Sequence, residues 1–305
     1  MAWVDLSRAI VEGISVYPGD PLFQTRPFAD HGTDGFRGTE LTLGSHLGTH
    51  IDVPFHYFID GETLDSFPVD FFLGDAAIID LTSLVGVDST RFAARQTGRP
   101  ATVTADDLAP FERIFETVPF IFLRTGWSSR FGASDFYTDF PSLSPETCDW
   151  LDDFPKLRIL GLETPSLVSF PHIGGDDVPA EKRPNPFNKE FSDLLPKTEP
   201  ECKKALRLAD MTAPYEPLDE LELNADAECH RLLLGRRPPI LILEGVTNLE
   251  ALPAYTPDDA VSGVAAFEPA KTLDAACLPL PIAGVDGSPA RVVARTKPPV
   301  LKVVG

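Results

Sequence analysis

The stretch Ser45-His46-Leu47-Gly48-Thr49-His50-Ile51-Asp52-Val53-Pro54-Phe55-His56 holds three of the chain's six histidines within eleven residues. Leu47, Ile51, Val53 and Phe55 take odd positions, with Thr49 the exception, while His46, Gly48, His50, Asp52, Pro54 and His56 take even ones. Successive side chains of extended backbone point to opposite faces, so the alternation predicts a segment that buries its apolar side and presents imidazoles and a carboxylate on the other. A straight strand is not sufficient. At about 3.3 Å per residue it would part His46 from Asp52 by roughly 20 Å, whereas ligands of one ion lie only about 2.0–2.2 Å from it. The chain must curl, and Gly48 is the residue that permits it. Gly48 and Pro54 also disfavour a long helix, so the expectation is a strand running into a tight loop.

Two imidazoles and a carboxylate suit Zn²⁺, Mn²⁺ or Fe²⁺, and three protein ligands leave a coordination position for water. His46, His50 and Asp52 are therefore candidate ligands. His56, four residues past Asp52, is either a further ligand or an unbound base beside the ion. An imidazole that titrates near neutrality favours the second role.

Outward from this cluster, Trp3–Leu6, Thr39–Leu43, Ala76–Leu81, Phe120–Leu123, Arg158–Leu162 and Ile240–Leu243 read as strands. Val16–Pro21 reads as a turn, because Pro18 presets φ and Gly19 permits a positive one. Thr104 and Ser144 each precede acidic first turns and mark helix starts, the second with Pro145 at the first helical position and an end near Leu151. A further helix is expected over Ala225–Leu234. Residues 168–224 differ from the rest: Gly174-Gly175, many prolines and mixed charge point to an insertion, with one short helix near Glu201–Ala209 and a possible use as a lid. The remainder reads as one α/β domain over 1–305 with a mixed, largely antiparallel sheet, because few strand pairs are separated by a crossover helix.

Composition narrows the partners. At 305 residues, 43% apolar and 24% charged, the chain can bury a substantial core. A net charge of −20 repels phosphate backbones and anionic lipid, so no nucleic-acid or membrane partner is expected. Cys148, Cys202, Cys229 and Cys277 lie far apart without a Cys-x-x-Cys pair, the pattern of reduced thiols. The opening MAWVDLSRAI has no basic segment followed by an apolar one, and no apolar run approaches the ~18 residues of a spanning helix; a soluble, cytoplasmic protein is the expectation.

The segment HLGTHIDVPFH resembles the motif His-x-Gly-Thr-His-x-Asp-x-Pro-x-His of the cyclase family of metal-dependent hydrolases, which includes kynurenine formamidases and isatin hydrolases. Asp5-Leu6-Ser7 with Tyr17–Pro21, Arg124–Trp127, Gly161–Ser166, Leu243–Leu249 and Leu278–Leu280 with Gly287–Arg291 are similar to further family segments, so that nearly the whole chain outside 168–224 is covered. The resemblance implies a swivelling β/β/α fold, a homodimer or homotetramer, and one or two divalent ions, Zn or Mn. It implies His46, His50 and Asp52 as ligands of a first ion, Asp52 as a bridge to a second held by His230 and Glu244, His56 as catalytic base, and Trp127 in an aromatic substrate pocket. His230, in an apolar helix, and Glu244, at the end of a buried strand, are also ionisable groups that need a charge partner. The activity implied is hydrolysis of a C–N bond in a small aromatic amide, with a cyclic amide or lactone, or metal and metabolite binding without catalysis, as alternatives. Where family members commonly carry Asp before Thr-Pro-Ser, this chain has Glu163, whose extra methylene is expected to shift a pocket wall.

Overall fold

Buried runs explain the centre of the molecule. Phe120–Leu123, Ile159–Leu162 and Leu241–Glu244 are buried at every position, the pattern of strands covered on both faces. The computed structural model describes residues 2–17, 20–94, 101–133, 135–137, 139–169, 225–260 and 265–297. Most of the expected insertion, its short helix and the Pro18-Gly19 turn lie outside the described residues.

The described strands are β1 (Val4–Asp5), β2 (Gln24–Ala29), β3 (Gly38–Thr42), β4 (His50–Asp52), β5 (Leu73–Asp80) and β6 (Thr102–Val103). They continue with β7 (Phe120–Arg124), β8 (Ser142–Leu143), β9 (Ile159–Leu162), β10 (Leu241–Glu244), β11 (Leu273–Pro279) and β12 (Gly287–Thr296). Eight form one sheet in the order β1-β12-β11-β5-β7-β9-β10-β4, and β4 pairs again with β12, which closes the sheet on itself. β5, β7, β9 and β10 run parallel to one another, while every pairing made by β1, β4, β11 and β12 is antiparallel. The sheet is thus mixed with a majority of antiparallel ladders, as expected, and it is barrel-like. β2 and β3 form a separate hairpin, and β6 and β8 a short parallel pair.

The expected helices form where their caps predict. Ser144 Oγ accepts from Thr147 N at 3.2 Å and starts the helix Pro145–Leu151. The Asp107 carboxylate accepts from Thr104 N at 2.9 Å and from Thr104 Oγ1 at 2.8 Å at the next start. The helix Ala225–Leu234 packs against Pro145–Leu151, and Cys148, Leu151, Cys229 and Leu233 join the core beneath the sheet. Each fully buried Leu, Ile or Phe there contributes roughly 1.5–3 kcal/mol of apolar transfer. Sequence periodicity leaves β2, β6, β8, β11 and β12 unassigned; in the two long ones, β11 and β12, Asp274, Pro279, Pro289 and Arg291 interrupt it, and pairing on both edges overrides the weak local pattern.

The double pairing of β4 positions the His-rich segment. Across one edge His50 faces Glu244 and Asp52 faces Ile242. Across the other, His50 faces Pro289 and Asp52 faces Gly287. Two stretches far away in sequence are thereby brought beside the same three residues.

Candidate metal-binding active site

Leu47, Ile51 and Val53 are buried in the core, as the alternation requires, and Thr49 joins them with its Oγ1 donating to Gly245 O at 2.8 Å. Phe55 departs from the pattern and is partly exposed, because Pro54–His56 turns into a short 3₁₀ segment after the strand. Gly48 takes φ +68°, left-handed backbone that costs other residues about 1–2 kcal/mol. The curl that this allows brings His46 Nδ1 to 2.7 Å from Asp52 Oδ1 despite six residues of separation.

Around Asp52 the other imidazoles converge. His50 Nε2 lies 3.4 Å from Asp52 Oδ1 and 3.3 Å from Glu244 Oε2. His230 Nε2 lies 3.7 Å from Asp52 Oδ2 and 3.6 Å from Glu244 Oε1. Both rings are held from behind. His230 Nδ1 donates to Asp226 O at 2.7 Å and His50 Nδ1 to Gly48 O at 3.2 Å, so in each case Nε2 is the atom turned toward the carboxylates. Tyr57 stacks on His230 with ring centroids 4.6 Å apart.

Metal-ligating atoms of His46, Asp52 and His56 lie within 4.8 Å of one another, as do those of His50, Asp52 and Glu244. Asp52 is common to both groups. The geometry thus pairs His50 with Glu244 and His46 with His56 more closely than motif order suggests, while His230 approaches from the Glu244 side.

The electrostatics of the cluster call for a cation. Burial opposes charge on His46, His50 and His230, yet facing carboxylates win: Asp52 and Asp286 raise His46 well above its ordinary value, Asp52 and Glu244 raise His50, and Asp226, Glu244 and Asp52 bring His230 to about 10. Asp52, buried as it is, falls far below the usual carboxylate range because His46 and His50 face it. Glu244 Oε1 is buried without a hydrogen-bond donor, since His230 at 3.6 Å is beyond reach. Clustered imidazoles and carboxylates with an orphaned buried oxygen fit a divalent ion, which would take the place of the protons.

Sequence reading misses Asp286. Its Oδ2 lies 2.9 Å from His46 Nε2 and 3.2 Å from His56 Nδ1, and both imidazoles hold the carboxylate far below its ordinary range against partial burial. Its signal is a Val-Asp-Gly step one residue before the Gly287 motif, easily read as a plain turn.

A cavity of about 320 Å³ opens on the cluster, walled by Arg8, Tyr17, Tyr57, Phe131, Phe136 and Tyr137. Trp127 is not in this wall. It is fully buried one layer behind, stacked on Phe136 at 6.3 Å, with Nε1 donating to Phe136 O at 3.0 Å. Glu163 also lies away from it, on a second cavity beyond β7 and β9, where it accepts from Thr125 N, Gly126 N and Ser128 Oγ.

Residues 4–167 match the model of the Cyclase family, described as "Putative cyclase". The chain belongs to the cyclase family. The kynurenine formamidase of Geobacillus thermodenitrificans is 26% identical over 167 residues, 54% of this chain and 69% of that one, and the kynurenine formamidase of Bacillus cereus is 28% identical over 166 residues, with the same shares. Isatin hydrolase A from Labrenzia aggregata superposes on the cyclase-family chain with a TM-score of 0.61 at 20% identity, over 96% of this chain and 93% of that one. A potential metal-dependent hydrolase with cyclase activity gives 0.57 at 18% identity, over 98% and 99%. At these identities the structural likeness speaks for the fold, and the fold is the cyclase type. Family and relatives together make the chain an enzyme of the metal-dependent amidohydrolase class. Among the described residues no helix is long and apolar enough to cross a membrane.

Proposed function

We propose that this cyclase-family enzyme hydrolyses the C–N bond of a small aromatic amide, in the manner that the name kynurenine formamidase describes for its relatives. The observation that carries the reading is the convergence of His46, His50, Asp52, His230 and Glu244 at the floor of an aromatic-walled cavity that also presents His56. Those five residues would hold one or two divalent ions, Zn²⁺ or Mn²⁺. Such an ion supplies Lewis acidity, lowering the pKa of water toward about 7 and polarising a carbonyl.

The protein's own groups do the rest. Burial of His50, Asp52 and Glu244 keeps bulk water from the ligand set. His56 is partly exposed to the cavity, and its Nδ1 is engaged by Asp286, so Nε2 takes the proton from the attacking water. Asp286 stabilises the imidazolium that results. As the C–N bond breaks, His56 returns that proton to the leaving nitrogen, giving a carboxylic acid and an amine. The aromatic wall orients the ring of the substrate.

The similarity of fold to isatin hydrolases supports a second reading, opening of a cyclic amide, which needs the same proton path with both products in one molecule. Work in the cytoplasm as a homodimer or homotetramer is part of this proposal, on the strength of the family resemblance. Metal analysis of protein purified without chelator, followed by assay of formanilides and cyclic aryl amides with that metal restored, tests it. Bound metal without turnover of any of them would reject hydrolysis.

A further inference from the structure

Among the described residues that line the active-site cavity, Arg8 is the only arginine or lysine. Its guanidinium carbon sits 4.1 Å from the centroid of Phe131 and 5.4 Å from that of Phe136, a cation held over aromatic faces. Its polar atoms are poorly matched. Nε is buried without a hydrogen-bond partner, and Nη2 reaches Ser128 O only at 3.5 Å, the far limit of such a bond. Among the described residues no Asp or Glu pairs with it. Glu163, the carboxylate that acts on it from a distance, is already committed to Thr125 N, Gly126 N and Ser128 Oγ. Burial therefore lowers the guanidinium to about 10, and at neutral pH it stays a cation without a counter-ion among the described residues.

A half-buried guanidinium lacking a carboxylate partner is costly unless something anionic completes it. Its planar fork matches a carboxylate in two-point contact, and the stacked rings hold the plane in readiness. Arg8 is also fixed relative to the ligand set. Its backbone N–H donates to Thr49 Oγ1 at 2.9 Å, and Thr49 Oγ1 donates to Gly245 O, which ties Arg8 to the neighbours of both His50 and Glu244.

We infer that Arg8 receives a carboxylate of the substrate and so turns the scissile amide toward the metal-binding cluster. This rests on the amidohydrolase reading and adds a substrate class to it: aromatic amides that carry a negative charge beside the ring. Outside the cluster that would hold the divalent ions, the described lining offers Asp20 and Asp226, which repel an anion, and Arg8 as its one arginine or lysine, so a carboxylate that leaves those ions to the scissile amide settles at Arg8. A permanent cation apart from the metal-binding cluster fixes the direction in which the substrate enters.

The test uses the metal-reconstituted full chain and two compounds that differ by one charge, 2-formamidobenzoate and its methyl ester, with wild type, Arg8→Met and Arg8→Lys. Wild type is expected to prefer the acid. Arg8→Met should lower kcat/KM for the acid by about 10–100-fold, chiefly through KM, and for the ester by a much smaller factor, and Arg8→Lys should recover part of the loss on the acid. Calorimetry with 2-aminobenzoate, an anion with no bond to cleave, should register the same weakening. Equal losses on acid and ester with a lower melting temperature would make Arg8 a packing residue and overturn the inference, as would a wild-type preference for the ester or undiminished 2-aminobenzoate binding by Arg8→Met. Turnover of neither compound, with 2-aminobenzoate binding still lost in Arg8→Met, would reject the hydrolase reading and leave the anion site in place.

Discussion

Asp286 Oδ2 lies 3.2 Å from His56 Nδ1. The contact orients the imidazole so that one nitrogen is anchored while the other faces the cavity, and it supplies negative charge when the ring is protonated. His56→Ala should therefore keep its metal while kcat falls by about 10²–10⁴. Asp286→Asn, which retains an acceptor but not the charge, should lose about 10–100-fold. Steady-state kinetics alongside metal content decide both, and an unchanged kcat in His56→Ala removes its role as base.

The ligand set makes a separate demand. His50 lies between Asp52 and Glu244, so His50→Ala removes a donor from the most buried part of the cluster. Metal retention after dialysis, read by elemental analysis, should drop sharply. Glu244→Gln should weaken retention by about 10-fold or more, since an amide replaces the orphaned carboxylate oxygen. A full metal complement in His50→Ala would contradict the assignment.

Two glycines carry the bend that builds the site. Gly48 has room for a methyl group but a φ of +68°, so Gly48→Ala should cost about 1–2 kcal/mol in denaturant unfolding. Gly245 combines φ +69° with a position where a Cβ would stand 2.4 Å from Gly48 O. Gly245→Ala should cost more than Gly48→Ala and should loosen metal binding too, because Glu244 must shift with it. Equal stability of the two variants would show that the Gly48–Gly245 approach yields easily.

Acid sensitivity should come in part from a helix start remote from the site. Burial disfavours charge on Asp107, but Arg91, at 2.8 Å from Nη2 to Oδ1, and Thr104 hold it below the usual carboxylate range. A carboxylate depressed in the folded state contributes stability above its unfolded value near about 3.9, and that contribution disappears as pH falls through the folded one. Asp107→Asn should therefore cost about 1 kcal/mol at neutral pH and little at low pH, with thermal melts at the two values as the measure. A loss of the same size at both would assign the cost to shape instead of charge.

Much of this arrangement is legible in the primary structure, for identifiable reasons. Alternation from Leu47 to Val53 and a glycine where the chain must bend suffice to anticipate the strand, the curl and the meeting of His46 with Asp52. Ser144 and Thr104 announce their helices because capping is a local interaction. Asp286 and Arg8 are different: each matters through a partner brought near by the closed sheet or by loop packing, and neither belongs to a periodic pattern. Trp127 illustrates the converse, since an aromatic beside a family motif packs behind the cavity wall and leaves the lining to Phe131 and Phe136.

The strand His50–Asp52 is hydrogen-bonded on one side to Leu241–Glu244 and on the other to the start of Gly287–Thr296. Because the histidine motif is synthesised before both of its flanking partners, a ribosome must deliver the start of Gly287–Thr296 before the pocket for the ion exists. Acquisition of metal thus waits on that pairing, and truncations short of residue 287 should emerge as apoprotein however much metal the cell supplies.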